Sequence, residues 1–186
     1  MNKILLALPI LLAFALLIVL ITPSATNVGT TSSNGVGYTG MVCIDTSTGF
    51  HECKHNIFTT TGQNMTRDIL GNVTGLSNID IIALGNCTSG TCGAVITETT
   101  LSGEHQGCGL QRAHGAFAIQ TTPAGSGNWT IANTFTSSCN NFDVNATALS
   151  NTTTQLSALN FAINNFTKVT LQNNDKLNVT WGIDVT

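Results

Sequence analysis

Apolar and polar residues alternate strictly at the C-terminal end of the chain. The apolar members are Leu177, Val179, Trp181, Ile183 and Val185, and the residues between them are Asn178, Thr180, Gly182 and Asp184. Because successive side chains of a strand point to opposite faces of a sheet, all five apolar side chains share one face. The pattern predicts a strand with one buried and one solvated face, preceded by a turn at residues 172–176.

Similar but weaker patterns predict further strands. These predicted strands cover residues 38–45, 50–55, 79–84, 110–121, 127–136, 142–149, 157–163 and 169–171. Residues 61–70 instead have the apolar spacing of a helix, which Thr61 would cap and Gly71 would end. We therefore predict an all-β fold, an antiparallel β-sandwich of the immunoglobulin-like or jelly-roll-like kind, with one short helix.

The N-terminus carries an apolar run of 18 residues, 4–21, directly after Lys3. Such a run is typical of an export signal, and it just reaches the length of a membrane-spanning helix. We predict a signal peptide or membrane anchor at residues 1–25, so that 4–21 either is removed or tethers the protein to a membrane. Residues 26–40, rich in Gly, Ser, Thr and Asn, then form a flexible spacer, and residues 41–186 form the sandwich domain.

Charged residues make up only 8% of the chain, whereas Thr (30) and Asn (20) together exceed a quarter of it. Solubility therefore depends on uncharged polar groups. The net charge of −3 with six Lys and Arg excludes nucleic acid as a partner, because phosphate binding needs a basic surface. The sequence contains no Gly-x-Ser-x-Gly, His-Glu-x-x-His or phosphate-binding loop, so we expect no cofactor and no enzymatic activity.

The six cysteines form an even set, which in an exported chain indicates three disulfides. Fifteen pairings exist, and local spacing favours Cys43–Cys53, Cys87–Cys92 and Cys108–Cys139. A zinc site is the alternative, and it would draw on Cys87, Cys92 and Cys108 with His105 or His114. A second conceivable metal site, on one strand face, would use His51, Cys53 and His55. A disulfide-bearing hairpin with two surface histidines is the favoured interpretation.

Eight Asn-x-Ser/Thr sequons occur in the chain. The candidate glycosylation sites are Asn64, Asn72, Asn86, Asn128, Asn145, Asn151, Asn165 and Asn178. In an exported protein these residues predict N-linked glycans. Export together with N-sequons favours an archaeal or eukaryotic source, and the short signal and sparse charge favour the archaeal one.

The densest polar stretch of the chain lies between residues 98 and 114. It contains Glu98, Glu104, His105, Arg112 and His114. Carboxylates paired with histidine are the groups of acid–base catalysis. In a chain so poor in charge, however, we expect a structural ion pair that locks a loop, formed by Arg112 with Glu98 or Glu104.

Several segments in order resemble one known family. They are residues 55–63 (HNIFTTTGQ), 79–85 (IDIIALG), 100–104 (TLSGE) followed by Arg112, 129–136 (WTIANTFT) and 166–181 (FTKVTLQNNDKLNVTW). Over about 40–186 this order is similar to small β-structural proteins of tailed phages and prophages, described as tail-fibre-like or virion proteins. The resemblance implies a β-sandwich building block without catalysis, and it implies that Glu104 and Arg112 form the family's loop ion pair.

The export signal, cysteines and sequons depart from virion proteins, which are assembled in the cytoplasm. With these features the chain is similar in architecture to subunits of archaeal extracellular filaments, the threads and bundling pili, whose glycosylated sandwiches pass a strand to the next subunit. We therefore expect a non-enzymatic extracellular structural subunit of a cell surface or filament that self-associates, as a homopolymer, by β-strand addition. The alternatives are a membrane-tethered adhesin or binding module and a virus-derived tail-fibre-like structural protein.

Overall fold

The computed structural model describes residues 37–73, 75, 77–88, 94–121 and 127–185. These residues form ten strands and one helix. In chain order they are β1 (Tyr38–Thr46), β2 (His51–His55), β3 (Ile57–Phe58), α1 (Thr60–Leu70), β4 (Ile81–Gly85), β5 (Ala113–His114), β6 (Ala116–Ile119), β7 (Trp129–Thr136), β8 (Phe142–Ser150), β9 (Asn160–Leu171) and β10 (Lys176–Val185).

The strands form two antiparallel five-stranded sheets. Sheet A has the order β2-β1-β10-β7-β6, and sheet B has the order β3-β9-β8-β4-β5. Strand β10 lies at the centre of sheet A, where it pairs with β1 on one side and with β7 on the other. The predicted all-β, sandwich-like class with one short helix is therefore confirmed.

The alternating segment at the C-terminus forms the centre of the core. The side chains of Leu177, Val179 and Trp181 are 0% exposed and that of Ile183 is 3% exposed. They belong to one apolar cluster with residues of sheet B, among them Leu149 of β8. The predicted strand, with one buried face, is confirmed, and its burial joins the two sheets.

The chain crosses between the sheets through single residues at two edges. Asn56 alone separates β2 of sheet A from β3 of sheet B, and Gly115 alone separates β5 of sheet B from β6 of sheet A. The backbone nitrogen of Asn56 donates to the carbonyl of Gly40 at 3.0 Å, and that of Gly115 donates to the carbonyl of Asp80 at 2.7 Å. Each crossing residue is thus anchored to a neighbouring segment, and the two sheets are covalently continuous at both edges.

The second crossing makes the predicted strand over residues 110–121 wrong. Those residues form β5 and β6 instead, which belong to different sheets. The break falls at Gly115 because a Cβ at this position would lie 2.4 Å from Cγ2 of Ile131. A residue without a side chain is needed where the chain passes so close to the core.

The helix begins earlier than predicted. Its N-cap is Thr59, not Thr61, and the Oγ1 atom of Thr59 accepts a hydrogen bond from the backbone nitrogen of Gly62 at 2.9 Å. The same hydroxyl donates to the carbonyl oxygen of Asn160 at 2.6 Å, which fixes the start of the helix against β9. The helix ends at Gly71 as predicted, where the backbone N–H bonds to the carbonyl of Arg67.

Two segments predicted as separate strands, 157–163 and 169–171, are joined in the single strand β9 of 12 residues, which begins at Asn160 and not at residue 157. The polar residues between them resemble a loop in the sequence, but Asn164 is buried. Its Nδ2 atom donates to the backbone carbonyls of Lys54 at 3.2 Å and His55 at 2.9 Å. Strand β9 therefore continues through these polar residues, because the buried amide of Asn164 is hydrogen-bonded to the edge of sheet A.

Residues 1–36 lie outside the described residues, and with them the predicted signal or anchor and most of the predicted spacer. Strand β1 already begins at Tyr38, so the last three residues of the predicted spacer belong to sheet A. Within the described ranges, which include the 11-residue helix α1, no helix is both long and apolar enough to cross a bilayer.

We predict that Gly115→Ala destabilises the fold by about 1–3 kcal/mol, because the new methyl group overpacks the crossing against Ile131. The control is Gly107→Ala, where a Cβ would meet nothing within 4 Å. Urea unfolding under non-reducing conditions measures both variants. Equal free energies of unfolding for the two variants would show that the crossing tolerates a side chain.

Candidate functional sites

The buried ion pair between Glu104 and Arg112 is the most connected polar site among the described residues. The Nε and Nη2 atoms of Arg112 donate to Oε1 and Oε2 of Glu104 at 2.7 and 2.9 Å, which is a two-pronged contact. The two side chains are 1% and 0% exposed. Of the two carboxylates considered for Arg112, the structure thus brings Glu104 and not Glu98 to it.

The remaining donors of Arg112 bind the end of β8 and the loop between β8 and β9. Its Nη1 atom donates to the hydroxyl of Ser150 at 3.1 Å and to the carbonyl of Thr152 at 3.0 Å, and its Nη2 atom donates to the carbonyl of Ser157 at 3.3 Å. A guanidinium has five N–H groups, and these contacts use all of them. The carboxylate is equally occupied, since Leu156 also donates its backbone N–H to it at 3.1 Å. The pair therefore joins the chain before β5 to the loop after β8, and it leaves no open face for a substrate.

The other members of the polar stretch lie apart from this pair. The Nε2 atom of His105 bonds to the carbonyl of Asp143 at 3.0 Å, and burial lowers the pKa of this imidazole, against the effect of that hydrogen bond. The ring of His114 lies 3.2 Å from the carboxylate of Asp80. Burial raises the pKa of Glu98, against hydrogen bonds from two backbone groups. Among the described residues, no hydrogen bond or ion pair joins the side chains of His105, His114 and Glu98 to one another.

The predicted pair Cys43 and Cys53 form a disulfide that links β1 to β2, with Cα atoms 4.1 Å apart. On the same outer face of sheet A, Nδ1 of His51 lies 2.5 Å from Oδ1 of Asp45, and its Nε2 atom lies 3.5 Å from Sγ of Cys53. This contact of an imidazole with both a carboxylate and a disulfide was not predicted. The signal for it was the hairpin register, because pairing Cys43 with Cys53 places Asp45 opposite His51.

Cys108 and Cys139 form a second disulfide, with Cα atoms 5.4 Å apart. The predicted pair Cys87–Cys92 lies outside the described residues because Cys92 does. Disulfides are typical of proteins in oxidising compartments, so the two bonds indicate an oxidising environment. Within the described part of the chain, no three His, Cys, Asp or Glu side chains lie close enough to hold a metal ion.

The sequon asparagines differ in their surroundings. Asn64 and Asn72, within and after α1, are exposed. The amide of Asn145 is held at both ends, since its Oδ1 accepts from the backbone nitrogen of Cys87 at 2.7 Å and its Nδ2 donates to the carbonyl of the same residue at 2.9 Å. Asn178 lies on the outer face of sheet A, as predicted from the alternation, and accepts from the Thr134 hydroxyl at 3.2 Å. The half-buried sequon asparagines are Asn86, Asn128, Asn145, Asn151, Asn165 and Asn178.

A groove of about 610 Å³ runs beside strand β6. Six of its lining residues are apolar and four are polar: Ile69, Val73, Ile79, Phe117, Trp129 and Ile131, and Asn72, Ser77, Asn78 and Asp80. Phe117 is 60% exposed, although its partner across the strands, Ile131, is only 2% exposed. The inward-facing side of β6 therefore extends past the edge of sheet B and is left open to solvent.

A smaller cavity of about 300 Å³ lies on sheet A and is lined by residues of β1, β10 and β7. Its lining includes Trp129 together with the polar residues Gln120, Asn128 and Asp184. The amide of Asn128 donates to the carboxylate of Asp184. Amides beside a carboxylate are a combination that can hydrogen-bond to a polar ring.

Comparison of the chain with protein-family models, with curated proteins and with solved structures finds no match. The class that the structure itself defines is a disulfide-stapled all-β protein of two antiparallel sheets.

We predict that Arg112→Met destabilises the protein by about 3–5 kcal/mol, because it leaves the Glu104 carboxylate buried without its cation. The double variant Glu104→Leu/Arg112→Met should recover part of this loss, since no buried charge remains. Arg67→Met is the control, because the Arg67 side chain is 70% exposed and its contact with Asp68 should be worth less than about 1 kcal/mol. Urea unfolding measures all three, and a double variant no more stable than Arg112→Met would contradict the role of the buried charge.

Proposed function

We propose that the protein is a non-enzymatic structural subunit of an extracellular surface or filament, in which copies associate by adding a strand to β6. Residues 1–25 would export the chain or tether it to a membrane through 4–21. Three features support the proposal: the open edge of β6, the groove beside it and the composition of the segment before β1.

The edge of β6 presents unpaired backbone groups. The backbone nitrogen of Gln120 donates to the carbonyl of Asn128 at 2.9 Å, so these two residues are a hydrogen-bonded pair of the β6–β7 ladder. In an antiparallel ladder such pairs alternate with pairs whose N–H and C=O groups point the other way. Phe117 and Ile119 therefore direct their backbone groups away from β7, where an added strand would bind them.

The opposite edge of sheet A is covered by sheet B. The amide of Asn164 occupies the backbone carbonyls of Lys54 and His55, as described above. The carboxylate of Glu52 accepts from the backbone nitrogen of Thr167 at 2.7 Å and from the Thr167 hydroxyl at 3.2 Å. Strand addition at this edge would have to displace those contacts, so β6 is the favoured edge.

The proposed occupant is the segment 26–36 of a neighbouring copy. This segment contains no charged residue and no proline, and its two valines, Val28 and Val36, fall on the same face of an extended strand. Eleven extended residues span about 36 Å, which exceeds the length of the four-residue strand β6. Backbone pairing with β6 and burial of a valine side chain in the groove would then act together.

We predict that Ile119→Lys weakens self-association of the full-length protein at least about tenfold, because it replaces an apolar contact worth roughly 1.5–3 kcal/mol by a charge. Ala118→Lys is the matched control, since it places the same charge on the same strand but on the outer face. Sedimentation velocity and negative-stain electron microscopy of protein from its native host measure the association. Monodisperse wild-type particles, or equal loss in both variants, would contradict strand addition at β6.

A second candidate function is the tethered adhesin or binding module, and the cavity beside Trp129 favours it. The carboxylate and amides that line the cavity offer hydrogen bonds to hydroxyl groups. The ligand class would be a neutral glycan.

For this candidate, we expect binding on a glycan array that Asp184→Ala lowers about tenfold, since hydrogen bonds to charged groups contribute about 1.5–3 kcal/mol. Asp175→Ala serves as the control, because this residue lies outside the residues that line the cavity. Absence of binding by multivalent wild-type protein would rule the glycan role out.

A further inference from the structure

The exposed end of the β1–β2 hairpin combines a disulfide with an imidazole and a carboxylate. Cys43, Asp45, His51 and Cys53 all lie on the outer face of sheet A, because they are alternate residues on paired strands. His51 is 64% exposed and Asp45 is 44% exposed. Cys53 is exposed and Cys43 is partly buried, so that a reagent in solution reaches the bond.

Both neighbours of the His51 ring are hydrogen-bond acceptors. Oδ1 of Asp45 lies 2.5 Å from its Nδ1 atom, and Sγ of Cys53 lies 3.5 Å from its Nε2 atom. A carboxylate and a disulfide sulfur have no proton to donate, so only the doubly protonated ring satisfies both contacts. Asp45 thus orients the ring, so that a proton on Nε2 would be directed at the sulfur of Cys53.

We propose that this hairpin is a thiol–disulfide exchange site, in which His51 is the catalytic acid and Asp45 is its positioning residue. The co-reactant is a thiolate from a small molecule or from a cysteine of another protein. The thiolate attacks Sγ of Cys43, a new S–S bond forms there and the Cys43–Cys53 bond breaks. Cys53 leaves as a thiolate and takes the Nε2 proton of His51, so that the products are a mixed disulfide at Cys43, a thiol at Cys53 and a neutral imidazole.

The geometry determines which sulfur leaves. Thiol exchange is faster when the departing thiolate is stabilised, and His51 contacts only the Cys53 sulfur. The two cysteines therefore end as different products, a mixed disulfide at Cys43 and a thiol at Cys53, and this difference can be measured. The second disulfide, Cys108–Cys139, is an internal comparison, because no hydrogen bond joins its sulfurs to any of the four histidines, all of which are described.

The test uses the oxidised full-length protein and reduced glutathione at one fixed pH. The reaction is stopped with acid, free thiols are alkylated and peptides are analysed by mass spectrometry. We expect glutathione on Cys43 and alkylation of Cys53, formed at least about tenfold faster than any product at Cys108 or Cys139. A peptide with a single cysteine, used in a parallel arm, distinguishes a protein thiol from a small-molecule thiol as the faster partner.

The variants separate catalysis from a structural role. His51→Gln should slow the reaction of Cys43–Cys53 at least about tenfold, whereas His55→Gln, a histidine on the same face, should leave the rate unchanged. Asp45→Asn should slow it and Asp45→Glu should keep the wild-type rate. Added imidazole should restore the rate of His51→Ala. If the hairpin were only loosened by these changes, the disulfide would react faster, so an unchanged or increased rate in His51→Gln overturns the proposal.

Discussion

The packing of the apolar face of β10 against sheet B is the contact on which the rest of the fold depends. Every other strand of sheet A pairs with β10 directly or through β1 or β7. Its alternate side chains, from Leu177 to Ile183, are almost wholly removed from solvent. Burial of such side chains contributes roughly 1.5–3 kcal/mol each. With only 8% charged residues, the chain has few other interactions of comparable size.

The sequence predicted those parts of the fold that depend on local pattern. Strand β10 and the β1–β2 hairpin follow from a two-residue period over consecutive residues. The crossing at Gly115 could not be predicted in this way, because apolar residues continue on both sides of it. Its position depends on Ile131 and on the carbonyl of Asp80, which are distant in sequence. The N-cap at Thr59 likewise depends on a bond to Asn160, about a hundred residues away.

The polar sites likewise divide into those that local sequence indicates and those that depend on residues distant in sequence. Glu104 and Arg112 were identifiable because charge is scarce in the chain. The carbonyl groups that bind the other donors of Arg112 belong to the β8–β9 loop, and no spacing rule indicates them. The contact between Asp45 and His51 was within reach of the sequence, since the disulfide of the hairpin fixes the register that places them opposite each other.

The position of β1 connects the proposed association to the hairpin. The segment that would bind a neighbouring copy leads directly into β1, and β1 pairs with β10 over nine residues, from Tyr38 to Thr46. In the proposed filament, a load on that segment would therefore reach β1, whose pairing with β10 would resist it. The Cys43–Cys53 bond adds a covalent link from β1 to β2, whose outer edge is fastened to β9 by Asn164. Exchange at that disulfide would remove the covalent link to β2 and leave the pairing of β1 with β10 unchanged, because that pairing depends on ladder hydrogen bonds and not on the disulfide.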